Sequence, residues 1–302
     1  MLRLTHGLIE NRMRSHFNRK YYLLLCCFSA SWMCGKATEI EYLEEVQPRI
    51  WIAEFFSDAL GDKLPFAVIL PSDRKNHAPE SVLFLLHGHG RNHLTLIEEP
   101  EVLKYLLDQP YLIILPFTKN GWYTNSTVNP EMRYGDAMDE LISLVEKEFN
   151  LRNERSDWAI AGWSMGGFGA ISIAERQNDR FGFAASIIGL LDFPKAEEST
   201  TSAAYQVPTS VFGDDRQTWD KYNPINKLER LENTPVFLVL GEQAFDYEMN
   251  KSFIQKSKDQ RLSLKVYTLQ GGHTQETRNE AIPLILHEVN AFFQNALIGY
   301  TK

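Results

Sequence analysis

Ser164 stands in Gly162-Trp163-Ser164-Met165-Gly166-Gly167, and His273 stands in Gly271-Gly272-His273-Thr274. A serine hydroxyl is a weak nucleophile until a nearby base takes its proton, and histidine is the side chain best suited to that task near neutral pH. The run before the serine, Trp158-Ala159-Ile160-Ala161, is short and apolar and reads as a buried strand. The run after it, Phe168 to Ala174, is rich in small residues and reads as a helix. A serine in a sharp strand-to-helix turn has a strained backbone, and its neighbours two residues away on each side must be small. The hydroxyl then rises above the sheet, over the positive end of a helix. That placement suits acyl transfer through a covalent serine intermediate. A glycine-rich turn with an incidental serine is the competing reading of these residues alone, so other groups must decide.

Such a serine needs a base, a group that orients the base, and donors for the oxyanion. In this arrangement the chain order is nucleophile, acid, histidine. His273 fits, because it follows the predicted strand Leu264 to Thr268 and glycines give its loop room. His287 falls inside the predicted last helix and reads as structural. The acid is expected in the loop Gly241-Glu242-Gln243-Ala244-Phe245-Asp246-Tyr247-Glu248. Asp246 is its only aspartate and the first candidate. Glu242 and Asp192 are the alternatives, and Asp246 could instead cap the helix that follows.

Leu86-His87-Gly88-His89-Gly90 follows another predicted strand. The backbone N–H of His89 is the expected first oxyanion donor, and that of Met165 the second. A metal held by His87, His89 and His93 is the alternative, but the three share one loop with no carboxylate cluster nearby. Neither metal nor cofactor is therefore expected. Trp122 and Tyr123 could line an acyl or aromatic pocket, or merely pack their loop. Arg91 and Asn92 are weaker candidates for contact with a polar substrate.

The elements that must hold these groups alternate between apolar runs and helical patterns. This predicts a mainly parallel sheet with helices on both faces. Ile50 to Phe56 and Leu64 to Leu70 read as opening strands, paired around Gly61-Asp62. Val82 to Leu86, Tyr111 to Leu115, the elbow strand, Phe183 to Leu190, Val236 to Leu240 and Leu264 to Thr268 follow. Met138, Leu141, Ile142, Val145 and Phe149 recur at helical spacing. Ala281 to Phe293 closes the chain as a helix, with Pro283 placed in its first turn. Asp192 to Leu231 lacks a strong period and reads as loops and short helices over the sheet's C-terminal edge.

The first 37 residues differ from the rest. Arg3, Arg12, Arg14, Arg19 and Lys20 precede an almost wholly apolar run from Tyr21 to Trp32, and Gly35-Lys36-Ala37 offers small residues for cleavage. This reads as a signal peptide over 1–37, with Met13 as a second possible start and a catalytic domain over 38–302. A retained anchor and a lipoprotein at Cys34 are the alternatives. All three cysteines, Cys26, Cys27 and Cys34, lie in this segment, so no disulfide or thiol chemistry is expected beyond it. Without its six basic residues and one acid, the remainder holds 25 Lys and Arg against 38 Asp and Glu. So acidic a domain is a poor nucleic-acid binder. No apolar run approaches the ~18 residues of a spanning helix, so no stable membrane insertion is expected after cleavage.

From about Ile50 to Phe293 the chain resembles the Putative esterase family of α/β-hydrolases, which includes tributyrin esterase, feruloyl esterases, S-formylglutathione hydrolase and mycolyltransferases. The resemblance rests on Leu86 to Gly90, on Gly121-Trp122-Tyr123-Thr124-Asn125, on Ala161 to Gly169, on Tyr247-Glu248 with Asn250, and on Gly271-Gly272-His273. It implies an α/β-hydrolase fold, catalysis by Ser164 and His273, and an oxyanion hole at His89 and Met165. It also implies an acid at the position of Ala244. Asp246, two residues later, either takes that role by a loop shift or leaves a weakened dyad.

The expected function is an exported serine carboxylic-ester hydrolase, periplasmic or extracellular, acting on a small-molecule or glycan ester. Acetylated sugar, feruloyl ester and short acyl glyceride all remain open. An acyltransferase with the same serine chemistry is the first alternative, and a catalytically weak binding protein on the same fold is the second.

Overall fold

The computed structural model describes residues 39–72, 79–193 and 207–300, with side chains to residue 295. The expected signal peptide over 1–37 and all three cysteines lie outside the described residues. Nine strands form one sheet: β1 (Ile40–Gln47), β2 (Ile50–Ser57), β3 (Asp62–Ile69), β4 (Val82–Leu86), β5 (Leu112–Pro116), β6 (Trp158–Trp163), β7 (Phe183–Ile187), β8 (Val236–Gly241) and β9 (Leu264–Leu269). Their spatial order is β1-β2-β3-β5-β4-β6-β7-β8-β9. The first three strands and the β3–β5 pair are antiparallel, and every pair from β5 to β9 is parallel. The parallel strands β4 to β8 are buried along their whole length. Burial on both faces is why they read as continuous apolar runs rather than alternating ones.

Two cores flank the sheet. One face carries α1 (Pro100–Leu107), through Val102, Leu103 and Leu106, and the long last helix, through Ala281, Ile282, Ile285 and Leu286. The other carries α2 (Tyr134–Phe149) and α3 (Met165–Arg176), through Leu141, Val145, Phe168 and Ile171. After β7 come α4 (Thr209–Phe212), α5 (Arg216–Tyr222) and two 3-10 turns, as expected of that aperiodic stretch. Then α6 (Tyr247–Asp259) precedes β9, and α7 (Gln275–Tyr300) closes the chain. No helix among the described residues is long and apolar enough to cross a membrane.

Three expectations need correction. β1 was not expected; it is rich in glutamate and lies at the sheet edge, where charge discourages further pairing. β7 stops at Ile187 rather than running to Leu190, because Ile188 takes φ +41° and turns the chain away. The last helix starts at Gln275, not Ala281, so Pro283 lies inside it rather than in its first turn. The start signal is Thr274, whose hydroxyl accepts the Thr277 N–H at 3.3 Å. His287 is exposed on that helix.

Candidate active site

Ser164 sits between the C-terminal end of β6 and the first residue of α3, with φ +55° and ψ −120°. This is a strained conformation for any residue but glycine. It is held from both sides: the Ser164 N–H donates to Ile187 O at 2.9 Å, and its carbonyl accepts from Phe168 N–H at 3.0 Å. The flanking glycines are required by space. A β-carbon on Gly162 would lie 2.3 Å from Gly166 O, and one on Gly166 would lie 2.3 Å from Leu86 O.

His273 stands in the loop between β9 and α7. Its Nε2 lies 2.8 Å from Ser164 Oγ, and its Nδ1 lies 2.6 Å from Asp246 Oδ1. The structure therefore brings together three residues separated by up to 109 positions. With Nδ1 protonated and donating to the carboxylate, Nε2 presents its lone pair to the serine hydroxyl. Phe245 covers the imidazole, with ring centroids 4.4 Å apart.

The loop that carries Asp246 is wound tightly. Ala244 N–H donates to Gly241 O at 3.0 Å, and Tyr247 N–H donates to Ala244 O at 3.1 Å. The turns leave Ala244 buried and bring Asp246, two residues later, to the imidazole. The same loop is tied to the histidine loop by Gln243 N–H donating to Gly271 O at 3.0 Å. Asp246 is fully buried and is the N-cap residue of α6, but its side chain accepts no cap hydrogen bond. Its second oxygen instead accepts from Asn250 Nδ2 at 2.8 Å. Asn250 Nδ2 also donates to Gly189 O at 2.8 Å, which anchors α6 to the chain beyond β7. The alternatives lie elsewhere. Glu242 is exposed, and Asp192 accepts from Asn223 Nδ2 at 2.8 Å.

The backbone N–H groups of His89 and Met165 carry no intramolecular hydrogen bond among the described residues. The Met165 donor is one of the free N–H groups at the start of α3. The His89 loop is pinned by Gly90 N–H donating to Asn120 Oδ1 at 2.7 Å. His87 is buried beneath it. Its Nδ1 donates to Gly88 O at 2.8 Å and its Nε2 accepts from Thr118 N–H at 3.3 Å. Burial pushes the His87 imidazole down to about 4, so the ring is neutral. Burial also lowers His93 to about 4, and its ring packs against Phe117.

Trp122 and Tyr123 do not line the cavity at Ser164, which corrects the expectation of a pocket role. Both are buried: Trp122 packs edge-on against Phe168 and Phe212, and Tyr123 OH donates to His87 O at 2.9 Å. Their φ values of +55° and +57° turn the chain inward. The cavity measures about 140 Å³ and is walled in part by Gly88, His89, Trp163, Ile188 and His273, with Arg91 and Arg278 beside them. Asn92 is not in the wall; its Oδ1 accepts from Leu94 N–H at 2.8 Å. Sequence reasoning missed Arg278 and the supporting role of Asn120. No pattern along the chain marks Arg278, which lies in the first turn of α7.

Comparison with known proteins bears on both family and fold. A family model described as Putative esterase matches residues 57–296. Esterase Rv1288 of Mycobacterium tuberculosis is 29% identical over 215 residues, 65% of this chain and 47% of that protein. The chain thus spans about half the length of that curated relative. An acetyl esterase of Caldicellulosiruptor saccharolyticus is 23% identical over 249 residues, 76% of this chain and 93% of that protein. Among solved structures, FphF, a fluorophosphonate-binding serine hydrolase of Staphylococcus aureus, overlays with TM-score 0.70 at 22% identity, over 80% of this chain and 97% of that one. The S-formylglutathione hydrolase FrmB of the same organism overlays with TM-score 0.68 at 21% identity, over 83% and 99%. The fold is that of the α/β-hydrolases.

Proposed function

Because the chain belongs to the Putative esterase family, we propose that it is a serine carboxylic-ester hydrolase working through an acyl-enzyme on Ser164. The observation that carries this reading is the hydrogen-bonded line from Asp246 through His273 to Ser164 Oγ, at 2.6 and 2.8 Å. His273 Nε2 takes the hydroxyl proton as Ser164 Oγ attacks the ester carbonyl. Asp246 holds the ring in the required tautomer and stabilises the imidazolium. The carbonyl oxygen becomes an oxyanion between the free N–H groups of His89 and Met165. His273 then gives its proton to the departing alkoxide. Water, deprotonated by the same nitrogen, releases the acid. Every step is carried by side chains and backbone, with no metal or cofactor.

The name of the Caldicellulosiruptor relative and the small cavity both favour a short acyl group such as acetyl. Export is part of the same proposal. It is supported by the basic-then-apolar order of residues 1–37 and by the lack of cysteine after Cys34. N-terminal sequencing of the exported fraction should find a chain beginning near Thr38.

The test of the chemistry is hydrolysis of 4-nitrophenyl acetate by the purified chain. Ser164→Ala should abolish it, and a fluorophosphonate should label Ser164. Label on another serine, or activity that survives Ser164→Ala, overturns the proposal. Transfer of the acetyl group to an added alcohol in preference to water would make the protein an acyltransferase instead.

A further inference from the structure

The wall of the Ser164 cavity contains two arginines, Arg91 and Arg278, and no aspartate or glutamate. This is unexpected in a chain of net charge −8. The two arginines are held differently. Arg278 is 2% exposed and fixed by four contacts. Its Nη2 donates to the Glu99 carboxylate and to Asn279 Oδ1 at 2.6 Å, Nε donates to the same Oδ1 at 2.9 Å, and the guanidinium lies 5.3 Å from the Trp163 ring centroid. Its Nη1 has no protein partner among the described residues. Arg91 is exposed, and its guanidinium also has no protein partner among them. The only carboxylate in the first turn of α7, Glu276, is not part of the cavity wall.

Glu99 pairs with Arg278 and the buried Asp246 adds a second negative charge behind His273, so the unpaired positive charge at the wall is local to the exposed Arg91. The wall also keeps N–H donors in the planar fork that suits a carboxylate. An uncharged ester would leave these donors to water. An ester that carries its own carboxylate would use them, with the Arg91 guanidinium as the partner charge. Arg91 and Arg278 line the same cavity as Ser164, so a carboxylate close to the reacting carbonyl is the one placed to use them.

We propose that this cavity selects esters bearing a carboxylate close to the scissile bond, with Arg91 and Arg278 Nη1 as the anion-binding pair. The proposal rests on the serine esterase reading and names the substrate class of that same site. The carboxylate can belong to the acyl part, as in a dicarboxylic half-ester, or to the alcohol part, as in an acylated hydroxy acid.

Two matched pairs of substrates separate these sources. 4-Nitrophenyl hemiglutarate against 4-nitrophenyl pentanoate tests the acyl side. 4-Acetoxybenzoate against 4-acetoxybenzamide tests the alcohol side. In at least one pair the charged ester should show a kcat/KM ten-fold or more above its neutral partner. Arg91→Gln should cut that ratio about ten-fold, Arg91→Glu should invert it, and added salt should lower it in the wild type. These variants change an exposed residue, so folding is not at stake. A wild-type ratio at or below one in both pairs, or a ratio indifferent to Arg91→Glu, overturns the anion reading while leaving the esterase intact. Failure to turn over all four esters, with no fluorophosphonate label at Ser164, overturns the esterase reading itself.

Discussion

The Asp246 carboxylate meets His273 Nδ1 at 2.6 Å although it stands two residues beyond Ala244, where the family resemblance puts the acid. Two successive turns between Gly241 and Tyr247 shape the loop that carries this carboxylate to the imidazole. Asp246→Asn keeps the size of the side chain but removes the charge and can impose the wrong histidine tautomer. Turnover of 4-nitrophenyl acetate should fall by roughly 10⁴, the loss typical when a triad aspartate becomes asparagine. The melting temperature should change little. A loss below ten-fold would leave Asp246 as a helix residue only.

Asn250 should act as a positioning residue. Its Nδ2 donates to Asp246 Oδ2, to the Asp246 carbonyl at 2.9 Å and to Gly189 O, all in a buried environment. Asn250→Leu should lower kcat ten-fold or more with little change in KM, since the substrate does not touch it. Placed on top of Asp246→Asn, it should add much less than it costs alone, because both act on one hydrogen-bonded unit. Additive losses would reduce Asn250 to a contribution to folding.

His87 links pH to stability. Its imidazole titrates near 4 in the folded chain and near 6.5 when unfolded. Above pH 6.5 neither state binds the proton and the native state is at full strength. As pH falls from 6.5 towards 4, the unfolded state gains the proton first, so stability drops by roughly 3 kcal/mol. Urea midpoints measured between pH 7 and 4 should fall accordingly. His87→Gln should reduce that slope, leaving the part that the similarly buried His93 contributes.

Glu175 has the opposite sign. It is buried in α3, both carboxylate oxygens lack a hydrogen-bond partner, and burial raises its pKa well above the ordinary value. The folded state therefore holds a proton that the unfolded state releases above about pH 4.5, and stability is lost as pH rises. Glu175→Gln should raise the melting temperature, and the gain should be larger at pH 8 than at pH 5. An equal gain at both would mean that Glu175 is not titrating between them.

The sequence alone determined the features that depend on neighbours along the chain. Ser164 was legible because a sharp turn admits only small residues at Gly162 and Gly166, and that demand is written in five consecutive positions. The inner strands were legible because burial on both faces leaves an uninterrupted apolar run. His273 was legible from the order of the elements and the glycines before it. What depends on groups distant in sequence was decided by tertiary structure. Asp246, Glu242 and Asp192 are all acidic residues after strands, and only the coiling of one loop against Gly271 selects the one that reaches the imidazole. Trp122 and Tyr123 carried no sign of which way they point, and their left-handed backbone sends them into the core against Phe168 and His87. Arg278 lies in the first turn of a helix whose start was placed six residues too late. Its place beside Ser164 follows from α7 packing on the face of the sheet over β6, β7 and β8, a contact that no local pattern records.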